Sequence, residues 1–243
     1  MKRRDGVAPA RLGGSAEGSR IVLHLQPEEH PMADRTALLV VDVQPDFLPG
    51  GHLAVGEGDR ILPGVRTLME SDTFHVKVAT QDWHPPEHAS FASNHPDTEP
   101  FQTIQLHAHE QVLWPDHCVQ GTPGARLHPD MPWKEVHAVI RKGTHPQVDS
   151  YSGFRNNWGP GGDRPPTGLA GYLKERGVEA VVVCGLARDY CVRWTAEDAA
   201  EAGFQTTLVW DLTRSVDPSG DDALRRELEN RGIHITTLQE LEI

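Results

Sequence analysis

The chain has 243 residues, 37% hydrophobic and 24% charged, which suits one α/β domain with at most an appendage. Its net charge of −12 excludes a surface built for nucleic-acid phosphates, and no apolar run approaches the roughly 20 residues that span a bilayer. Three cysteines (Cys118, Cys184, Cys191) are too few, and odd in number, for a disulfide framework. The basic start Met1-Lys2-Arg3-Arg4 is not followed by an apolar signal segment, so the cytoplasm is the expected compartment.

Residues 1–34 are rich in Gly, Ala, Arg and Glu without periodicity and read as a flexible N-terminal extension. From residue 35 to 243 the pattern alternates strand and helix. Strands are predicted at 37–43, 74–80, 136–141, 179–184, 206–210 and 234–237. The first four are near-continuous apolar runs, as expected for strands covered on both faces. Helices are predicted at 59–70, 168–176, 191–202 and 220–230, three of them closed by glycine (Gly177, Gly203, Gly232). This alternation implies βαβ units: an α/β three-layer sandwich with a six-stranded, mainly parallel sheet. Residues 82–132 are rich in Pro, His and Asp without a clear period, and a loop that long in a compact domain is usually functional. Ten of the fourteen histidines fall between His75 and His145. No glycine-rich dinucleotide or phosphate-loop fingerprint is present.

In a parallel α/β sheet ligands bind beyond the carboxyl ends of the strands. The first strand ends in Asp42, followed by Gln44 and Asp46. The second ends in Asp82-Trp83-His84, the third in Lys142, and the fourth leads through Gly185-Leu186-Ala187 to Cys191. By residue type alone Cys191 reads as an inert core thiol. Its position at a strand-to-helix turn changes that, because free backbone N–H groups and the helix dipole favour a thiolate there. An acid, a metal-type pair, a base and a thiol therefore converge on one rim. Asp42 suits a general base that takes the thiol proton and returns it to a leaving group. Lys142 beside both is expected to lower their pKa values. Backbone N–H groups at the Leu186-Ala187 bend and at Cys191 are placed to hold an oxyanion. The combination suits acyl transfer. Asp82 and His84, two residues apart on an extended segment, face the same way. With a third ligand from among His88, His95, His107, His109 and His117 they suit a divalent ion such as zinc, iron or manganese.

The stretches Asp42-Val43-Gln44-Pro45-Asp46-Phe47, Gly50-Gly51-His52-Leu53-Ala54-Val55 and Asp82-Trp83-His84-Pro85-Pro86-Glu87-His88-Ala89-Ser90-Phe91 resemble the nicotinamidase/pyrazinamidase branch of the isochorismatase-like hydrolases. So do Trp114-Pro115-Asp116-His117-Cys118-Val119, Lys142-Gly143-Thr144, Asp149-Ser150-Tyr151-Ser152-Gly153-Phe154, and the Cys191 segment with Thr195-Ala196-Glu197-Asp198-Ala199. They come in family order from Ala37 to the C-terminus; residues 1–34 lie outside. The resemblance implies that Asp42, Lys142 and Cys191 form the catalytic triad and that Asp82, His84 and His117 hold one metal ion, zinc, with iron or manganese as alternatives. It implies a cis Leu186–Ala187 peptide shaping an oxyanion hole of Ala187 and Cys191, and a flat pocket lined by Phe47, Trp114 and Tyr151. His88, only four residues after His84, departs from members whose second loop histidine sits further on; it stands open between an extra ligand and a group behind the ligands. The implied activity is deamidation of nicotinamide to nicotinate and ammonia through a cysteine thioester, in NAD salvage, with pyrazinamide as a further substrate. The expected partner is that small molecule, not nucleic acid or a membrane, with a homo-oligomer left open. An amidase for carbamoyl or ureido groups is the runner-up, isochorismate chemistry does not need the thiol, and a non-catalytic sensor on the same fold would not need the triad.

Overall fold

In the computed structural model residues 35–241 are described; the expected extension, 1–34, lies outside them. Six parallel strands form one sheet: β1 (Thr36–Val41), β2 (Val76–Asp82), β5 (Ala138–Lys142), β6 (Ala180–Leu186), β7 (Gln205–Arg214) and β8 (His234–Thr236). Their order is β5-β2-β1-β6-β7-β8. Helix α1 (Leu62–Glu70) follows β1, α2 (Leu169–Glu175) precedes β6, α3 (Arg193–Glu201) joins β6 to β7, and α4 (Asp221–Asn230) joins β7 to β8.

The pleat divides the core. Leu38 and Val40 of β1 point into a cluster with Val65, Leu68 and Met69 of α1. Ala37, Leu39 and Val41 point the other way, against Leu169 and Leu173 of α2, Ala196 and Ala199 of α3, and Leu224 and Leu228 of α4. One helix covers one face and three the other, which gives the expected three layers. The edge strand β5 instead alternates half-buried and exposed residues up to the buried Lys142.

Two features depart from the sequence expectation. The stretch 82–132 contains an antiparallel hairpin, β3 (Thr103–Leu106) and β4 (His109–Val112). Its two turn residues, His107 and Ala108, both have positive φ (51° and 65°). That conformation is usually announced by Asn-Gly, so the turn carried no readable signal. The second departure is at Cys191. Helix α3 starts at Arg193, and Cys191 lies before it in a π-helical turn, Arg188–Val192.

Candidate active site

Strand β1 pairs with β2 on one side and β6 on the other, so the chain's winding direction reverses between β1 and β6. Crevices open at such a switch point. Gly185 lets the two strands approach there: a Cβ on it would lie 2.0 Å from the Val41 carbonyl oxygen. Asp42, at φ 47°, leaves β1 at this rim and Cys191 follows β6.

Lys142 organises the buried polar centre. Its Nζ donates to Asp82 Oδ1 (2.5 Å), to the Ser150 carbonyl (3.0 Å) and to Cys191 Sγ (3.3 Å). Those three bonds use all three ammonium protons. Asp42 Oδ2, 2.8 Å from the same nitrogen, is ion-paired yet receives no directed hydrogen bond. The other oxygen, Oδ1, accepts from Thr80 Oγ1 at 2.6 Å, and the Asp42 N–H donates back to that hydroxyl oxygen at 3.2 Å. One donor-type atom each of Asp42, Asp82 and Cys191 lies within 4.8 Å of the others. The Asp42 carboxylate therefore sits beside the thiol.

Burial sets the charge states. It raises the Asp42 carboxyl above its usual range against the pull of Lys142. Burial also opposes ionisation of Asp82, but there Lys142 and His84 prevail and hold the carboxyl well below the usual range. The Cys191 thiol is pushed well above its ordinary value by burial, with Asp42 and Asp82 adding to the effect and Lys142 opposing it. Lys142 pulls both Asp42 and Cys191 down as expected, and burial outweighs it at each.

The other face of Asp82 belongs to two imidazoles. Its Oδ2 lies 3.3 Å from His84 Nε2 and 3.7 Å from His117 Nε2. His84 Nδ1 is 3.0 Å from the Gly143 carbonyl and His117 Nδ1 2.8 Å from the Pro115 carbonyl. With each Nδ1 held by a carbonyl, both Nε2 atoms are turned towards the carboxylate, the orientation in which they would ligate an ion. One carboxylate and two imidazoles, all buried and within 4.8 Å, are a donor set a divalent transition ion fits. Of the other candidates, His95 Nε2 binds the Ala89 carbonyl, His107 Nε2 binds the Gln147 carbonyl, and His109 stacks on Trp158. His88 lies against His84 with ring centroids 4.3 Å apart and planes tilted by 45°, but its Nδ1 pairs with Ser90 Oγ and its Nε2 with the Val148 carbonyl. Burial, then the neighbouring His84, lower its pKa to about 4, which keeps it neutral.

A narrow cavity reaches both centres. Phe47, Trp114 and Tyr151 line it as expected, together with Asp82, His84, His117, Ala187 and Cys191. The Leu186–Ala187 peptide is cis, and Ala187 forms part of the wall. The lining also includes Leu53, Asp149, Tyr190 and Val216, which the sequence reading did not assign. Tyr190 packs edge-on against Trp114 at 4.7 Å, and Trp114 Nε1 donates to the Tyr151 hydroxyl at 3.2 Å. Gln44 and Thr80 were also missed as supports. Gln44 forms a two-way bond with the Asp82 backbone (Oε1 from its N–H, 2.7 Å; Nε2 to its carbonyl, 2.9 Å).

A thiol, carboxylate and ammonium at the switch point of this sheet agree with the comparison of the whole domain: residues 36–240 match the isochorismatase domain, and the chain belongs to the isochorismatase family. Its relatives are more particular. The nicotinamidase of Acinetobacter baylyi is 50% identical over 189 residues, covering 77% of this chain and 85% of that protein. Among solved structures, PnC1 from L. infantum in complex with nicotinate superposes with a TM-score of 0.75 at 39% identity, over 86% of this chain and 96% of that one. The pyrazinamidase of Pyrococcus horikoshii in complex with zinc gives 0.67 at 37% identity, over 84% and 99%.

Proposed function

We propose that this chain is a nicotinamidase, an amide hydrolase that converts nicotinamide to nicotinate and ammonia in NAD salvage and accepts pyrazinamide, a ring of the same shape. The observation that carries the reading is the shared carboxylate: Asp82 touches Lys142 with one oxygen and faces His84 and His117 with the other. Amide chemistry and a ring-anchoring metal would thus meet across one side chain. The nicotinamidase and zinc-bound pyrazinamidase relatives support it.

In this mechanism the aromatic walls, Phe47, Trp114 and Tyr151, sandwich the planar ring. Asp42 Oδ2 takes the Cys191 proton, and Sγ attacks the carboxamide carbon. The negative charge that develops on the amide oxygen is held by the Ala187 and Cys191 N–H groups. Asp42 returns its proton to the amide nitrogen as the C–N bond breaks and ammonia leaves. Water then adds to the thioester carbon, giving up a proton to Asp42. The thiolate departs and recovers that proton, and the acid gives its own proton to solvent and leaves as nicotinate. Lys142 stays charged throughout, offsetting the carboxylates and the transient thiolate. Asp82, His84 and His117 would hold one divalent ion, zinc in this proposal, which would supply a Lewis-acid anchor for the pyridine nitrogen.

An amidase for carbamoyl or ureido groups would use the triad but has no need of an anchor for a ring nitrogen. No helix among the described residues is long and apolar enough to cross a membrane, and three unpaired thiols fit the reducing cytoplasm proposed here. The test is ammonia release from nicotinamide, pyrazinamide, benzamide and a carbamoyl amide, with metal analysis of the same sample. Equimolar ammonia and nicotinate with one metal per chain are expected. Metal-loaded protein that spares nicotinamide and cleaves the carbamoyl amide would overturn the assignment.

A further inference from the structure

The residue after Ala187 is a buried arginine with no role in the chemistry above. Between the paired positions Val183↔Leu208 and Gly185↔Thr213, β6 advances two residues while β7 advances five. The bulge leaves β7 carbonyls without ladder partners. Arg188 fills the gap. Its terminal Nη2 donates to the carbonyls of Trp210 (2.9 Å) and Thr213 (2.8 Å), and its Nε donates to Thr213 Oγ1 (2.8 Å). Its Nη1 pairs with Asp221 at the start of α4, and the guanidinium lies 4.0 Å over the Trp210 ring. The next residue grips the same segment: Asp189 accepts the N–H groups of Val216 and Asp217, each at 2.9 Å. Val216 lines the same cavity as Ala187 and Cys191, whereas Arg188 does not.

We infer that Arg188 is a positioning residue: by filling the β7 bulge it fixes the turn from Ala187 to Cys191 against residues 213–217, and so sets the oxyanion donors and the nucleophile relative to the bound amide. This rests on the proposed amide hydrolysis. The interaction belongs to this geometry and not to a charge requirement, because a guanidinium bonding several acceptors in one plane cannot be reproduced by a single ammonium.

The experiment uses metal-loaded full-length protein with Arg188→Ala, Arg188→Lys and Asp221→Asn, and rates are divided by the fraction of Cys191 titrated with an alkylating agent. Two probes separate the roles. Nicotinaldehyde adds Cys191 sulfur to its carbonyl carbon, the thiol proton ending on the aldehyde oxygen, so it samples the oxyanion geometry; nicotinate samples ring binding alone. In Arg188→Ala the kcat per titrated site should fall about 10²-fold, the loss that roughly 1 Å of misplacement produces, and nicotinaldehyde affinity should fall with it. KM and nicotinate affinity should stay within about threefold, since uniform binding is untouched. Arg188→Lys and Asp221→Asn should show the same split, smaller in size, and they carry the test if Arg188→Ala does not fold. A lowered Tm with unchanged kcat per titrated site, or equal losses for aldehyde and acid, would overturn the inference. A wild-type protein that releases no ammonia from nicotinamide would instead overturn the underlying reading.

Discussion

Lys142 Nζ and Asp82 Oδ1 are in contact at 2.5 Å, so the ammonium that faces the thiol is bonded to the carboxylate that faces both imidazoles. The two centres are one charge system. Asp42 and Asp82 are like charges in a buried site, and the single cation between them keeps both ionisable.

Removing that cation strands two carboxylates. Breaking a buried ion pair by deleting one partner costs about 3–5 kcal/mol, far more than an exposed pair. Lys142→Met should therefore lower stability by that order and abolish turnover, while the double variant Lys142→Met/Asp42→Asn recovers part of the stability and none of the activity. Urea unfolding of metal-loaded protein checks it; a single variant as stable as wild type would show that the carboxylates do not depend on this cation.

Three thiols should react very differently. Cys118 and Cys184 are fully buried; burial raises Cys184 to about 12 and holds Cys118 well above its ordinary value. Cys191 reaches the cavity. Alkylation of native protein should label one site, Cys191, with activity lost in proportion, and Cys191→Ala should be inactive but folded. The reaction should be slow near neutral pH and rise with pH, because the thiol pKa is raised. Lys142 is the main group that lowers it, so Lys142→Met should move the profile to still higher pH; an unmoved profile would reduce Lys142 to a tether for Asp42.

The strand ends were legible in the sequence, and with them the acid, the base, the metal pair and the thiol. Short apolar runs such as Val181-Val182-Val183 bounded by glycine mark strands, so β1, β2, β5 and β6 fall within two residues of expectation, although the edge strand β5 is not covered on both faces as the other three are. Strand β7 runs on to Arg214, four residues further, because it bulges, and a bulge leaves no periodic mark. His117 came from the family context and not from spacing, since five loop histidines looked alike. Thr80, Gln44 and Arg188 act across the sheet, at sequence separations of 38 and 25 residues from the partners they hold. The thiol's surroundings are only half legible for the same reason: proximity to a lysine is visible in a motif, but the burial that outweighs it is a property of the folded core.

Gly143 shows how tightly the proposed metal-binding trio is seated. At φ 63° a side chain there is strained, and its Cβ would lie 2.3 Å from His84 Cε1. The same residue's carbonyl holds His84 Nδ1. Gly143→Ala should turn the imidazole and weaken metal affinity by about 10–100-fold, the range seen when such supporting bonds are lost. Metal titration of the apo protein measures it directly; unchanged affinity would argue that His84 is not a ligand.

The division of labour between the two centres predicts how substrates sort. If the trio anchors a ring nitrogen, benzamide, which keeps the carboxamide and the flat ring but lacks that nitrogen, loses the anchor and keeps the chemistry. Its kcat/KM should fall well below that of nicotinamide, and chelation should raise the KM for nicotinamide more than it lowers kcat. His84→Ala should repeat the effect of chelation, and adding metal back should rescue the chelated wild type but not the variant. An uncompensated loss of one strong directed contact is worth about 1.5–3 kcal/mol, or roughly 10- to 100-fold in kcat/KM. Comparable kcat/KM for the two amides in metal-loaded protein would sink the anchoring role and leave the trio to act on the carboxamide itself.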